Sequence, residues 1–330
     1  MPIISLTGSN GKTTTKELTL SVLSQQFNVK GTAGNLNNHI GVPLTLLSFD
    51  SSTEIGIVEM GANHLKEIKL LSSIALPDYG LITNYGKAHL EGFGSEENII
   101  KGKSELFDHL RIHNKTAIVG HWDKEQLKRS YGIERFLTSS DSKLIKAEPY
   151  ISLEFEDLQC DTQLVGEYNY HNILLAAAVG QVFNMSTAKI IKGISQYSPT
   201  NNRSQVIQTG HLKIILDAYN ANPSSMVVAL KNLSKQSENQ KIAILGDMFE
   251  LGKYTTKEHQ NIAELTQQLQ IDQTYLIGQA FSKVKCEQAQ LFENLESFIK
   301  QFKMDKTQES VMLIKGSRGM ALERILEIIK

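Results

Sequence analysis

"SLTGSNGKTTTKEL", residues 5–18, decides how the rest of the chain is read. The apolar run "IISL" leads into it, glycines at 8 and 11 flank a polar turn, and a helix-length stretch from 13 to 27 follows. Strand, glycine-bearing turn and helix in that order predict a phosphate loop made of Gly8, Ser9, Asn10, Gly11, Lys12, Thr13 and Thr14. The glycines let backbone N–H groups turn inward on phosphate oxygens, and the helix N-terminus adds a favourable dipole. Lys12 is expected to reach the β- and γ-phosphates of ATP, and Thr13 to offer its hydroxyl to Mg²⁺. Leu6 stands where the full GxxxxGK[ST] pattern has its first Gly. A glycine-rich turn with an incidental Lys is the alternative, and the strand–loop–helix context favours nucleotide.

Outward from the loop, short apolar runs recur: "IGIVEM", "YGLITN" and "TAIVG", then "KIIL", "KIAILG", "TYLIG" and "VMLIKG". Several are nearly continuous rather than alternating, as strands buried on both faces should be. Helix-length stretches such as 255–270 separate them, which predicts an α/β fold of parallel sheets with helices on both sides. After the loop, Leu18 and Val22 lie on one side of the helix and Leu20, Leu23 and Phe27 on another, as in a helix buried within its domain. The cluster "YSPTNNRSQ", 197–205, reads as a boundary between domains 1–200 and 201–330. Residues 121–165 are polar and mixed and give no clear periodicity.

Across 330 residues, 41% are hydrophobic and 21% charged, which suits a folded globular chain rather than a disordered one. The net charge of −1 offers no electrostatic case for nucleic acid or a membrane surface. Two cysteines, Cys160 and Cys286, make no disulfide framework. "MPIISLTGSN" lacks a signal peptide's basic start and apolar run, and no stretch reaches membrane-spanning length. These features describe a cytoplasmic protein.

Five further segments resemble one family, the Mur ligases, ATP-dependent amide-forming enzymes of peptidoglycan synthesis. They are "TNYGKAHLEGFGS" (83–95), "KGKSELF" (101–107), "DAYNANPSSM" (217–226), "LGDMFELG" (245–252) and "KGSRGMALE" (315–323). The resemblance implies a central P-loop ATPase domain with a mainly parallel sheet, followed by a Rossmann-like C-terminal domain. "DAYNANPSSM" and "LGDMFELG" resemble the branch that joins D-alanyl-D-alanine to UDP-N-acetylmuramoyl-tripeptide. In such an enzyme the γ-phosphoryl of ATP passes to a carboxylate, an amine attacks the acyl phosphate, and cations neutralise the developing charge.

The resemblance also implies residue roles. Glu59, at the end of "IGIVE", is expected to bind Mg²⁺, and His89 to contact a second Mg²⁺, although that ion prefers oxygen ligands. Lys103 matches a lysine that CO₂ converts to a carbamate, an anionic oxygen ligand for the second ion. Lys101 competes on position alone, but only Lys103 has Leu-Phe three residues on. Asn169 and Asn172 match the family's adenine-contacting asparagines, with Tyr168 replacing a His; a helix N-cap is compatible with Asn169. Asn35 and Asn38 are placed in the substrate or phosphate environment, where many relatives carry Asp at the position of His39. In the second domain, Arg203 is expected on the γ-phosphate and Asp217 on the ribose. Asn220, Asn222 and the segment Lys315 to Arg318 are expected to receive the dipeptide, with Asp247 and Glu250 on its ammonium and Arg318 on its carboxylate.

Family members normally carry a preceding domain that binds the uridine diphosphate end of the substrate. This chain begins one strand before the loop, so ATP binding is expected to survive and ligation to be weakened. The family precedent suggests a monomer. Folylpolyglutamate synthetase, which also couples ATP to amide formation, is a rival reading, as is an idle ATP-binding module. "DAYNANP" and "GDMFELG" argue against the first, and the set Lys12, Glu59, His89 and Lys103 against the second. A P-loop motor or GTP switch fits least.

Overall fold

The structure is a computed structural model and describes residues 1–200, 202–303 and 308–329. Asn201, inside the expected boundary stretch, lies outside the described residues. The chain divides into two compact units, Met1–Gly86 with Gly92–Ser198, and Lys87–Glu91 with Pro199–Lys330.

In the first unit the expected strands form β1 (Ile3–Thr7), β3 (Ile55–Glu59), β4 (Tyr79–Ile82) and β5 (Thr116–Val119). With β2 (Val29–Gly31) and β6 (Glu134–Leu137) they make a six-stranded sheet in the order β2-β3-β1-β4-β5-β6. Every pairing in it is parallel. All five residues of β1 and all five of β3 are buried, which is why both read as continuous apolar runs. The helices are α1 (Lys12–Leu23), α2 (Gly41–Leu47), α3 (Glu67–Ala75), α4 (Leu90–Phe93), α5 (Glu96–Ile112), α6 (Lys124–Arg129), α7 (Tyr168–Val182) and α8 (Thr187–Gln196). Leu18, Val22 and Leu23 of α1 are fully buried, and the helix packs on both α7 and α8, so its two apolar sides each find a partner.

Two expectations need correction here. α1 ends at Leu23 rather than near residue 27, because the N–H groups of Gln25 and Gln26 turn to the carbonyls three residues back, Val22 and Leu23. Residues 121–165, unreadable by periodicity, contain α6, β6 and a separate antiparallel sheet of β7 (Ser142–Lys146), β8 (Ser152–Phe155) and β9 (Leu158–Asp161). These strands are four or five residues long, and β6 and β7 are largely exposed, so no apolar run announces them. Leu153, Phe155 and Cys160 nevertheless join the core of the unit with Ile4, Leu6, Ile57 and Leu81.

The second unit is built on β10 (Gln205–Thr209), β11 (Leu212–Asp217), β12 (Gln240–Gly246), β13 (Gln273–Ile277), β14 (Ala289–Phe292) and β15 (Ser310–Lys315). Their order is β10-β11-β15-β12-β13-β14, with β10 antiparallel to β11 and the other pairs parallel. Its helices are α9 (Pro223–Ser234), α10 (Thr255–Gln268), α11 (Leu295–Gln301) and α12 (Leu326–Ile329). Ile214, Leu216, Ile242, Ile244, Met312 and Ile314 bury one sheet face with Phe298. Among the described residues no helix is long and apolar enough to cross a membrane.

Candidate functional site

In the first unit the site lies at the C-terminal ends of β1, β3 and β4, where open parallel sheets place their ligands. The chain leaves β1 at Gly8, whose φ is +145°; a Cβ there would lie 1.9 Å from Thr83 Oγ1. Gly11 has φ +78°, and its Cβ would lie 2.5 Å from Asn172 Oδ1. Both positions therefore need glycine. Hydrogen bonds from the end of β4 fix the turn between them. Thr83 Oγ1 and Asn84 Nδ2 donate to the Asn10 carbonyl, at 2.6 and 2.9 Å, and Asn84 Oδ1 accepts from the Asn10 N–H. Ser9 Oγ donates to the Gly86 carbonyl at 2.7 Å, and Lys12 Nζ to the Gly8 carbonyl at 2.8 Å. Thr14 occupies the first turn of α1.

Glu59 closes β3 and is 1% exposed. Its Oε2 accepts from Thr13 Oγ1 at 2.9 Å and its Oε1 from Asn37 Nδ2 at 2.8 Å, while its N–H donates to Thr32 Oγ1 at 2.9 Å. A hydroxyl at the start of α1 and a carboxylate at the end of β3 are hard oxygen donors of the kind Mg²⁺ takes. Among the described residues no group of three or more His, Cys, Asp or Glu is placed to hold a metal.

Lys103, on α5, is fully buried. Its Nζ donates to the Ala62 carbonyl at 3.0 Å and lies 5.2 Å from the Phe93 ring centre. Burial, joined by the like charge of Lys12, holds its amine well below the ordinary lysine range. The physical state this favours is a neutral amine, a nucleophile rather than a cation.

Asn169 and Asn172 are buried at the start of α7 and bonded to each other, Asn172 Nδ2 donating to Asn169 Oδ1 at 2.8 Å. Asn169 also donates to the Val165 carbonyl, and Asn172 Oδ1 accepts from Thr15. Their amides face α1 and the loop. Asn38 is similarly engaged, its Oδ1 accepting from the Ile40 and Gly41 N–H groups at the start of α2; Asn35 is exposed.

In the second unit Asp217 closes β11 and Lys315 closes β15, as direct neighbours in register. Lys315 Nζ, 2% exposed, bonds Asp217 Oδ2 at 2.5 Å and the Asn220 carbonyl at 3.1 Å. The Arg203 guanidinium stacks on Tyr219, 3.6 Å from the ring centre, and its Nε is buried without a hydrogen-bond partner among the described residues. Arg318 lies 5.9 Å from the same ring and pairs with Glu323. Such a guanidinium suits a phosphate or carboxylate.

Several of the expected substrate side chains are also bonded within the unit. Asp247 Oδ2 accepts from the Ala280 N–H and Oδ1 from the Phe281 N–H, both at 2.9 Å. Asn222 is the N-cap of α9, with its Oδ1 accepting from the Ser225 N–H in a capping box ahead of Pro223. Lys315 is a buried ion-pair member rather than a surface contact. His89 groups with the second unit, at φ +54°, and its Nδ1 makes an ion pair with Glu250. Glu250 and Asp247 line a cavity of about 540 Å³ in that unit.

Sequence reasoning passed over Asn37, Thr83, Asn84 and Tyr219. Thr83 and Asn84 carry a usable signal, an uncharged polar pair straight after a buried strand. Asn37 carries none, since its partner Glu59 lies 22 residues on.

Comparison with known proteins agrees with this geometry. Residues 6–180 match the Mur ligase middle domain, and residues 202–318 the Mur ligase, glutamate ligase domain. The UDP-N-acetylmuramoyl-tripeptide–D-alanyl-D-alanine ligase of Bacillus subtilis is 32% identical over 98% of this chain and 75% of its own length. The crystal structure of MurF from Acinetobacter baumannii superposes with a TM-score of 0.88 at 29% identity, covering 100% of this chain and 77% of that one. MurF from Thermotoga maritima, solved in complex with ADP, gives 0.86 at 26% identity over 99% of this chain and 79% of its own. The chain belongs to the Mur ligase family.

Proposed function

We propose that this chain is an ATP-dependent amide ligase that joins D-alanyl-D-alanine to UDP-N-acetylmuramoyl-tripeptide in peptidoglycan precursor synthesis. The observation that carries the reading is a fully buried lysine, Lys103, in the same unit as the glycine loop between β1 and α1 and the buried carboxylate of Glu59. A nucleotide-binding module has no need of that lysine, whereas a ligase has. The names of relatives about 30% identical over nearly the whole chain support the same activity.

Residues 1–200 would serve as the ATP-binding domain and residues 201–330 as the domain that brings the second set of contacts. The loop amides and Lys12 hold the phosphates of ATP, and Thr13 with Glu59 holds one Mg²⁺. Two Mg²⁺ ions, when bound, neutralise the charge that develops as the γ-phosphoryl moves to the tripeptide carboxylate. Lys103 adds its amine nitrogen to the carbon of CO₂ and releases one proton, which leaves an anionic carbamate oxygen for the second ion, with His89 as a further contact. Arg203 pairs with the γ-phosphate, and Asp217 with the ribose. Asn169 and Asn172 stand beside the adenine, Asn35 and Asn38 in the substrate or phosphate environment, and Asn220, Asn222 and Lys315 beside the incoming dipeptide. Asp247 and Glu250 take the dipeptide's ammonium and Arg318 its carboxylate. The amine of the dipeptide then attacks the acyl phosphate, and phosphate leaves as the amide forms.

Mass spectrometry of the nucleotide product tests this. The pentapeptide nucleotide should appear only when ATP, Mg²⁺, UDP-N-acetylmuramoyl-tripeptide and D-alanyl-D-alanine are all present. ATP consumption without that product contradicts the assignment.

A further inference from the structure

We propose that Asn37 is a positioning residue for Glu59 and sets how strongly the phosphate site takes Mg²⁺. The inference rests on the reading of Glu59 as a metal ligand. Glu59 receives two side-chain donors, Thr13 Oγ1 and Asn37 Nδ2. They are not equivalent. The Thr13 hydroxyl rotates about its Cβ–Oγ bond and must turn its proton away from Glu59 to present a lone pair to a cation. The Asn37 amide is a planar donor that has no such competing duty, so it is the contact that keeps the carboxylate oriented whether or not the ion is bound.

The placement of Asn37 favours that role. Its own backbone carbonyl accepts from the Gly61 N–H at 2.7 Å, so one residue grips the chain both at Glu59 and two positions beyond. A Cβ on Gly61 would come within 2.7 Å of Asn37 Oδ1, so the close fit needs glycine there. The loop bearing Asn37 follows β2, whose last turn is held from the other side: Lys16 Nζ, fully buried on α1, donates to the Thr32 carbonyl at 2.5 Å. Thr32 Oγ1 in turn accepts the Glu59 N–H. Glu59 is thus fixed at its backbone through Thr32 and at its side chain through Asn37. Outer contacts of this kind orient metal ligands and typically change metal affinity by about 10- to 100-fold when lost.

Calorimetric titration with ADP, in Mg²⁺ and separately in EDTA, tests the inference without any need for ligation. Asn37→Ala should bind ADP like the natural chain in EDTA, but lose about 10-fold or more of the affinity that Mg²⁺ adds. Asn37→Asp, of the same size but with like charge facing Glu59, should lose at least as much and guards against a folding defect in the alanine variant. Hydrogen exchange at the Gly61 amide should stay at the natural rate in both, since its acceptor is the backbone of residue 37. An Mg²⁺ gain that is intact in both Asn37 variants but lost in Glu59→Gln overturns the inference alone. A gain that survives Glu59→Gln as well overturns the reading of Glu59 as the metal ligand, and the inference with it.

Discussion

Thr13 and Glu59 stand 46 residues apart in the chain, yet the threonine hydroxyl donates to the carboxylate across 2.9 Å of buried space. One oxygen comes from the first turn of α1 and the other from the end of β3, so the parallel pairing of β1 with β3 is what brings them together. Because both serve one ion in the proposed mechanism, their losses should not add. Thr13→Ala and Glu59→Gln should each slow phosphate release by roughly 100-fold or more, and the double variant should be little worse than the poorer single. Steady-state rates for the three variants check this, and additive losses would separate the two roles.

Lys103 should show opposite effects on stability and activity. Burial holds its amine below the ordinary lysine range in the fold, whereas the unfolded chain keeps its proton up to about pH 10.4, so stability rises with pH as that value is approached from below. Lys103→Met removes this cost while conserving volume. The variant should melt a few degrees higher at pH 7, lose the rise with pH, and lose phosphate release by at least about 100-fold. Thermal melts at pH 7 and 9 beside rate measurements test both halves.

His259 gives the second unit an acid limb. It is fully buried, its Nε2 accepts from the Met248 N–H at 3.0 Å, and its Nδ1 faces the Thr255 carbonyl at 2.7 Å. Burial lowers its protonation range, outweighing the Thr255 carbonyl, Asp247 and Glu258, which pull the other way. The neutral form belongs to the fold, so its contribution is present above the unfolded value near 6.5 and is lost as the pH falls below it. His259→Gln should cost about 1–3 kcal/mol at pH 8 by disturbing the Met248 bond. That gap should narrow by up to about 1.4 kcal/mol per pH unit below 6.5. Denaturant titrations at pH 8 and 5.5 measure it.

The Asp217–Lys315 pair should behave as a buried ion pair with one open side. Lys315 is 2% exposed and Asp217 18%. Asp217→Asn strands the Lys315 ammonium, which among the described residues keeps the Asn220 carbonyl, and should cost about 3 kcal/mol. Lys315→Met should cost less, because Asp217 reaches solvent. The double variant should be more stable than the sum of the two, as unfolding free energies from a double-mutant cycle would show.

Much of the fold was legible because its strands are buried on both faces: "IISL", "IGIVEM" and "VMLIKG" carry their own signal. β7 and β8 were not, since a small half-exposed sheet leaves strands of four or five residues without a run to read. The loop between β1 and α1 was legible because glycine, lysine and threonine fall within seven consecutive residues. The bonding of Asp247 was not legible for the opposite reason. Its two acceptors are taken by the N–H groups of Ala280 and Phe281, 33 and 34 residues later, and no local pattern records that pairing. Asn37 and Asn38 look alike in sequence; only the fold sends one to Glu59 and the other to the start of α2.

The central claim is best tested by measuring phosphate release from ATP with Mg²⁺ and bicarbonate, with each substrate alone and with both. The account predicts release that requires UDP-N-acetylmuramoyl-tripeptide and D-alanyl-D-alanine together and that matches amide formed mole for mole. Binding of ATP with no release under any combination, or release indifferent to the dipeptide, would contradict it.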